Sequence, residues 1–286
     1  MTLRRASADA DVDSEDRVWD VVVVGAGAAG LMTAITARRK NSSCAVLVLD
    51  GAPRAGAKIL VSGGGRCNVT NHEVTDRDFW GGSRAAIRRV LRRFSASDAR
   101  AFFEDLGVPL RAEGAGKIFP ASHRARDIRD ALVAETARVG VAMRLGCRVQ
   151  DIDRDGGQFR LTTSSGLIWC RRVVLATGGL SLPRTGSDGA GLDFARRLGH
   201  STTQTTPALV GLRLDPSHAD VHARLSGIAL DVELSVWVAG RIQIRLRGPM
   251  LWTHAGISGP ATLDASRHIL QARAAGFPVA LTANIF

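Results

Sequence analysis

The run Trp19-Asp20-Val21-Val22-Val23-Val24, followed at once by Gly25-Ala26-Gly27-Ala28-Ala29-Gly30, restricts the fold more than any other stretch of this sequence. Four consecutive valines without polar alternation suit a strand covered on both faces, as in a parallel sheet. The G-x-G-x-x-G pattern then marks a tight turn into a helix, predicted over about 28–39 with small residues toward the sheet. Residues 45–50 form a second buried strand, so the segment reads as a βαβ unit with its strands adjacent. Asp50 closes that strand, 25 positions after Gly25. This is the context a dinucleotide fingerprint requires. Gly25 permits the turn, Gly27 leaves room for a pyrophosphate, and Gly30 lets the helix pack closely. The helix N-terminus, with Ala26, Ala28 and Ala29, faces the phosphates. Asp50 is placed to accept hydrogen bonds from ribose hydroxyls.

The fingerprint does not choose among dinucleotides; two later segments favour FAD. In Lys58-Ile-Leu-Val-Ser62-Gly63-Gly64-Gly65-Arg66-Cys67-Asn68, the successive glycines offer backbone N–H groups to a flat, anionic ligand. Arg66 adds a permanent charge suited to pyrophosphate, and Asn68 and Thr70 offer polar contacts. Ala176-Thr177-Gly178-Gly179, at the end of another buried strand, brings the chain back past the cofactor. Val149 is a candidate for backbone contact with adenine.

Between these motifs the periodicity predicts helices over about 83–106, divided at Ser95 or Ser97, and over 126–139 and 189–198. A three-strand meander is expected at 147–153, 158–163 and 167–172, with turns at Asp155-Gly156-Gly157 and Ser164-Ser165-Gly166. Beyond Thr202 strands predominate (209–214, 228–238, 241–247), followed by a helix at 260–274. The expected organisation is a polar, disordered tail over 1–17, an FAD-binding Rossmann-like domain over 18–200, and a smaller β-rich domain over 201–286. The fold class is α/β, a parallel sheet with a β-meander.

Composition narrows the partners. The net charge of +11 invites an RNA reading, and Arg84, Arg88, Arg89, Arg92 and Arg93 form a dense basic patch on one predicted helix. Only Lys40, Lys58 and Lys117 are lysines among 38 basic residues, and tyrosine is absent, a bias that a GC-rich genome also produces. No apolar run is long enough to span a bilayer, so no membrane partner is expected. The polar N-terminus has no secretory h-region. Cys44, Cys67, Cys147 and Cys170 form no C-x-x-C pair, which excludes a local redox disulfide or zinc knuckle and fits a reducing cytoplasm. His218-x-x-x-His222 has helical spacing for a metal pair but lacks an acidic partner motif, so no metal is expected.

The order of these motifs, with Gly116-Lys-Ile-Phe-Pro120, Ala176–Gly191 and Thr253–Pro260, resembles the BaiN/RdsA family of NAD(P)/FAD-dependent oxidoreductases over nearly all of residues 19–286. The resemblance implies an FAD-binding two-dinucleotide-binding fold with an inserted β-rich domain. It implies that NAD(P)H reduces the flavin, which then reduces an activated C=C bond of a small molecule, or uridine in ribosomal RNA. In that family a glycine-rich return segment closes over the isoalloxazine; the sequence ending at Phe286 does not contain it, so a C-terminally shortened chain is expected. Three readings stay open: a C=C reductase, a catalytically impaired FAD- or nucleotide-binding fragment, and a flavoprotein acting on ribosomal RNA. Cys67, whose thiol pKa a neighbouring Arg66 would lower, and His254 are candidates for a proton donor. Packing roles are the alternative for both.

Overall fold

In the structure, a computed structural model, residues 17–285 are described except 216 and 218. Residues 1–16 of the expected tail, His218 and Phe286 therefore lie outside the described residues. The chain divides into two compact units between Thr202 and Thr203.

The first unit contains, in chain order, β1 (Val18–Trp19), β2 (Val21–Val24), α1 (Ala28–Lys40), β3 (Val46–Asp50), α2 (Ala57–Val61), β4 (Thr70–Asn71), α3 (Arg84–Arg93), α4 (Ala96–Asp105), β5 (Leu110–Glu113), β6 (Lys117–Pro120), α5 (Ala125–Arg138), β7 (Ala142–Leu145), β8 (Val149–Asp155), β9 (Gln158–Thr163), β10 (Gly166–Cys170), β11 (Val173–Leu175) and α6 (Ala190–Arg197). Its central sheet has the order β11-β2-β3-β7 and is parallel throughout. Side chains alternate along these strands as the two-fold strand period requires. Val23, Val46 and Val48 pack with Leu31, Ile35, Ile128 and Leu132 of α1 and α5. Val22, Val24, Leu47 and Leu49 pack against Ile152, Leu161, Ile168 and Cys170 of the meander. The valine run is thus covered on both faces, by helices on one and by a second sheet on the other.

The first apolar run is not one strand. Asp20 interrupts it: its carboxylate accepts from the Ala45 N–H (2.8 Å) and from Arg171 (2.6 Å). The hydrogen bond from Ala45, ahead of the ion pair with Arg171, holds this carboxyl below its ordinary pKa. Val18 and Trp19 therefore pair in parallel with β10, giving the meander sheet the order β1-β10-β9-β8. The expected helix at 83–106 divides at Ser95, whose hydroxyl accepts from the Asp98 N–H (3.1 Å) while the Asp98 carboxylate accepts from the Ser95 N–H (2.8 Å). Such a reciprocal cap contributes about 1 kcal/mol.

The second unit is built on β12 (Leu212–Arg213), α7 (Ala219–Leu225), β13 (Ala229–Val238), β14 (Arg241–Thr253), β15 (Gly256–Ser258), α8 (Pro260–Ala274) and β16 (Val279–Ile285). The strands form an antiparallel sheet in the order β12-β15-β14-β13-β16. Val232, Leu234, Val236 and Met250 pack on Ala261, Ala265 and Ile269 of α8. The strand expected at 209–214 is reduced to two residues.

Candidate functional site

A cavity of about 1190 Å³ opens in the first unit at the C-terminal ends of β2, β3 and β11. This is the crevice where doubly wound α/β sheets bind ligands, and its size sits just above the ~300–1,000 Å³ of ordinary small-molecule sites. Its floor is the glycine turn. Gly25 donates to the Leu49 carbonyl (2.7 Å), and a Cβ at Gly25 would lie 2.4 Å from the Ala176 carbonyl oxygen. A Cβ at Gly30 would lie 1.8 Å from the Gly25 oxygen. Both glycines are thus explained by protein packing.

Gly27 is different. Its backbone is extended (φ −82°, ψ −174°), which any residue adopts, and a Cβ there would meet no protein atom within 4 Å. Nothing in the protein requires glycine at this position. Gly27 is also the N-cap of α1, with no side chain capping it and no acidic residue in the first turn. The first helical amides lack intrahelical acceptors, and the positive end of the helix dipole faces the cavity. A bare helix end with a side-chain-sized gap fits a bound phosphate group.

Asp50 does more than was expected of it. One carboxylate oxygen accepts from the Ala26 N–H (2.7 Å) and the other from the Ala52 N–H (2.8 Å), so it ties the turn to the loop after β3. It still lines the cavity, as do Ala26, Gly27, Ala28 and Ala29.

Of the later motifs, Lys58, Ser62, Cys67, Asn68, Val149, Ala176, Thr177 and Gly178 line the cavity, whereas Gly63, Gly64, Gly65, Arg66 and Gly179 do not. The reason lies in the backbone. Residues 57–61 form α2 and Ser62–Gly65 a 3-10 turn, in which Gly63 and Gly64 are left-handed. Arg66 pairs with Glu113 (2.9 Å) and its guanidinium lies over the Phe119 ring (4.4 Å). Its charge is engaged by Glu113 on β5 and by the Phe119 ring on β6. The Asn68 amide faces the carbonyls of Ile118 and Thr70 (3.1 and 2.7 Å), to which its NH2 group donates.

Lys58 lines the cavity and Arg66 does not. Its ammonium donates to the buried Ser187 hydroxyl, next to Gly178, and so joins α2, the end of β11 and the loop before α6. Arg54 and Arg148 also line the cavity, as do Arg184, Thr185, Gly186, Ser187 and Asp188 of the Ala176–Gly191 segment, none of them singled out in the sequence as a site residue. Arg148 pairs with Asp188 at 2.6 Å. The cavity has four cationic side chains, Arg54, Lys58, Arg148 and Arg184, against two acidic ones, Asp50 and Asp188. That balance suits an anion.

The expected activation of Cys67 is corrected. Burial pushes its thiol pKa up, opposed only by a hydrogen bond with Ser62, because Arg66 is turned away to Glu113. The thiol keeps its proton at neutral pH, in a left-handed backbone (φ +60°). His254 is exposed on the turn between β14 and β15 of the second unit and does not line the cavity. His222, on α7, is buried and stacked on Trp252 (5.5 Å between centroids). No cluster of three metal-binding side chains occurs among the described residues.

Residues 19–265 match the HI0933-like protein Rossmann domain family. The chain belongs to this family. It is the group of flavoprotein oxidoreductases that the sequence motifs resemble. The chain is 32% identical over 249 residues to the 3-dehydro-bile acid delta(4,6)-reductase of Clostridium scindens, covering 87% of the chain and 60% of that protein. It is 32% identical over 250 residues to the ribosomal RNA dihydrouridine synthase of Escherichia coli, covering 87% and 61%. The chain therefore spans about three fifths of the length of these curated relatives. Among solved structures, a single-residue variant of the E. coli quinol fumarate reductase subunit FrdA superposes with a TM-score of 0.51 at 19% identity, over 75% of this chain and 43% of that one. A flavocytochrome c3 fumarate reductase superposes with a TM-score of 0.50 at 19% identity, over 76% and 47%. These likenesses show a shared Rossmann-type fold.

Proposed function

We propose that this chain binds FAD in the first unit's cavity, as part of a reductase that takes electrons from NADH or NADPH and reduces an activated C=C bond of a small molecule. The observation that carries the reading is Gly27, a glycine required by neither backbone conformation nor protein packing, at the uncapped N-terminus of α1. The FAD pyrophosphate fills that space. Bound there, the flavin supplies hydride transfer, the chemistry the side chains themselves lack. The amides at the start of α1 and the Lys58 ammonium offset the pyrophosphate charge. Asp50 fixes the turn and keeps acceptor capacity for the adenosine ribose, while Val149 offers its backbone to adenine. The protonated Cys67 thiol and the Ser62 hydroxyl line the same cavity and hold protons there. In this reading residues 18–200 form the cofactor domain, residues 201–286 belong to a β-rich substrate domain, and the protein works in the cytoplasm.

The test is direct. Purified chain is titrated with FAD while flavin fluorescence is followed, and the complex is then mixed anaerobically with NADH or NADPH. Saturable quenching followed by bleaching of the flavin spectrum is expected. Failure to bind FAD overturns the proposal, and binding without bleaching by either nicotinamide removes the proposed electron donor.

A further inference from the structure

Helix α3 is the least covered element of the first unit. Ile87, Val90, Leu91 and Phe94 fall within an arc of about 100° on its helical projection, the width of an ordinary core-facing stripe. Yet no residue of the helix is fully buried: Ile87 and Leu91 are half-buried, Val90 is 66% exposed, and Phe94, just past the helix end, 43%. The loop before it adds Phe79 and Trp80, 46% and 47% exposed. The rest of the helix surface is basic: Arg84, Arg88, Arg89, Arg92 and Arg93, with no acidic residue in the helix. Asp76 pairs with Arg88 (3.2 Å). Among the described residues, no ion pair engages Arg84, Arg89, Arg92 or Arg93.

We propose that this face, with Phe79 and Trp80, docks on an anionic lipid surface, α3 lying in the plane of the headgroups. An apolar stripe flanked by arginines and bordered by Trp and Phe is the composition of an interfacial helix. Other occupants satisfy only half of the face. A second copy would bring two arginine-rich helices together with little acidic compensation. RNA would pair with the arginines but leave the exposed Val90, with the half-buried Ile87 and Leu91 beside it, without apolar cover, since single-stranded bases stack on flat aromatic or guanidinium surfaces. A bilayer interface takes the stripe into its acyl boundary and the arginines among its phosphates. No helix of the described residues is long and apolar enough to cross a membrane, and this mode needs none. Phe94 also lines the cavity, so the docked face adjoins its wall. That places the cavity next to a phase from which an apolar substrate can be taken up.

The inference is independent of FAD and is tested on the chain as it stands. The protein is sedimented with phosphatidylglycerol–phosphatidylcholine vesicles and with phosphatidylcholine vesicles alone. It is expected to pellet with the anionic vesicles, and salt should weaken the association. Each arginine at a lipid surface contributes about 1 kcal/mol, so the R84Q/R93Q pair, which flanks the stripe on its two sides, should lower partitioning roughly 30-fold. V90E should lower it at least about ten-fold. Both variants alter exposed positions and should keep the wild-type melting temperature, which separates lost docking from lost folding. The proposal is overturned if the protein stays in the supernatant with anionic vesicles, or if V90E pellets like wild type. It is equally overturned if V90E converts a dimer of the vesicle-indifferent protein to a monomer, or if R84Q/R93Q abolishes RNA retention while vesicle binding is absent.

Discussion

Replacing Gly27 by valine separates what the glycine turn does for the fold from what it does for the cofactor. The site is extended in backbone and open above Cα, where a Cβ meets no protein atom within 4 Å. Gly is a better N-cap than Val, which costs the apoprotein about 0.5–1 kcal/mol, or roughly 1–4 °C in a domain of this size. The wild-type chain at 100 times the dissociation constant of FAD gains about 2.7 kcal/mol, which raises its melting temperature by about 5–10 °C. In G27V the valine methyls occupy the phosphate space, and an overlap worth about 1–3 kcal/mol weakens binding by roughly 5- to 150-fold. The assay is differential scanning fluorimetry with and without FAD, beside a direct fluorescence titration. The control is G30A, whose Cβ would stand 1.8 Å from the Gly25 oxygen and must deform the turn even without ligand. A G27V protein whose melting temperature climbs with FAD as far as the wild type's does, or which does not fold without it, refutes the reasoning.

Other substitutions probe the surroundings of that turn. K58M should raise the FAD dissociation constant about ten-fold and flatten its salt dependence, since Lys58 is the cation expected to face the phosphates; an unchanged salt slope would remove it from the site. D50A strands the Ala26 and Ala52 amides and should destabilise even the apoprotein by about 1–3 kcal/mol in urea melts. Glu135, buried beside Arg138 and Arg39, has a lowered pKa, first through its hydrogen bond with Arg138. Its contribution is present above the ordinary carboxylate pKa and lost as pH falls through the lower folded value, so the stability gap between wild type and E135Q should close in acid. Burial pushes the Cys170 thiol up to about 12. Its contribution is therefore full below the unfolded thiol pKa, near 9.0, and is lost as pH rises toward 12. A thiol reagent at pH 8 should modify half-buried Cys44 first, reaching Cys67, Cys147 and Cys170 only on unfolding.

The features legible in the sequence were those written in local patterns. The valine run, the turn and the end of β3 at Asp50 needed only strand burial and glycine spacing, and the meander needed only alternation between its Gly-containing turns. Strand β7 escaped because Ala-Met-Arg-Leu is short and half exposed; it is a strand through its pairing with β3. The Gly63-Gly64-Gly65 run was read as ligand-facing because glycine content reports freedom of the backbone, not its direction. That Lys58 lines the cavity and Arg66 does not was illegible for the same kind of reason. Which cation faces the cavity depends on Glu113, 47 residues from Arg66, and on Ser187, 129 residues from Lys58. No window of sequence contains those pairs.

The contact of Gly25 with Ala176 has a consequence for biosynthesis. Strand β2 lies between β3 and β11, and the second of these neighbours arrives some 150 residues later. Until it does, one edge of β2 is unpaired, the glycine turn lacks the wall against which Gly25 is fitted, and Lys58 has no Ser187 to hold it. Closing so long a loop is slow compared with forming the local βαβ unit. During translation the nascent chain therefore passes through a stage that displays the fingerprint without a finished cavity. Cofactor capture is then a late event, timed by the emergence of the segment from Val173 to Ser187.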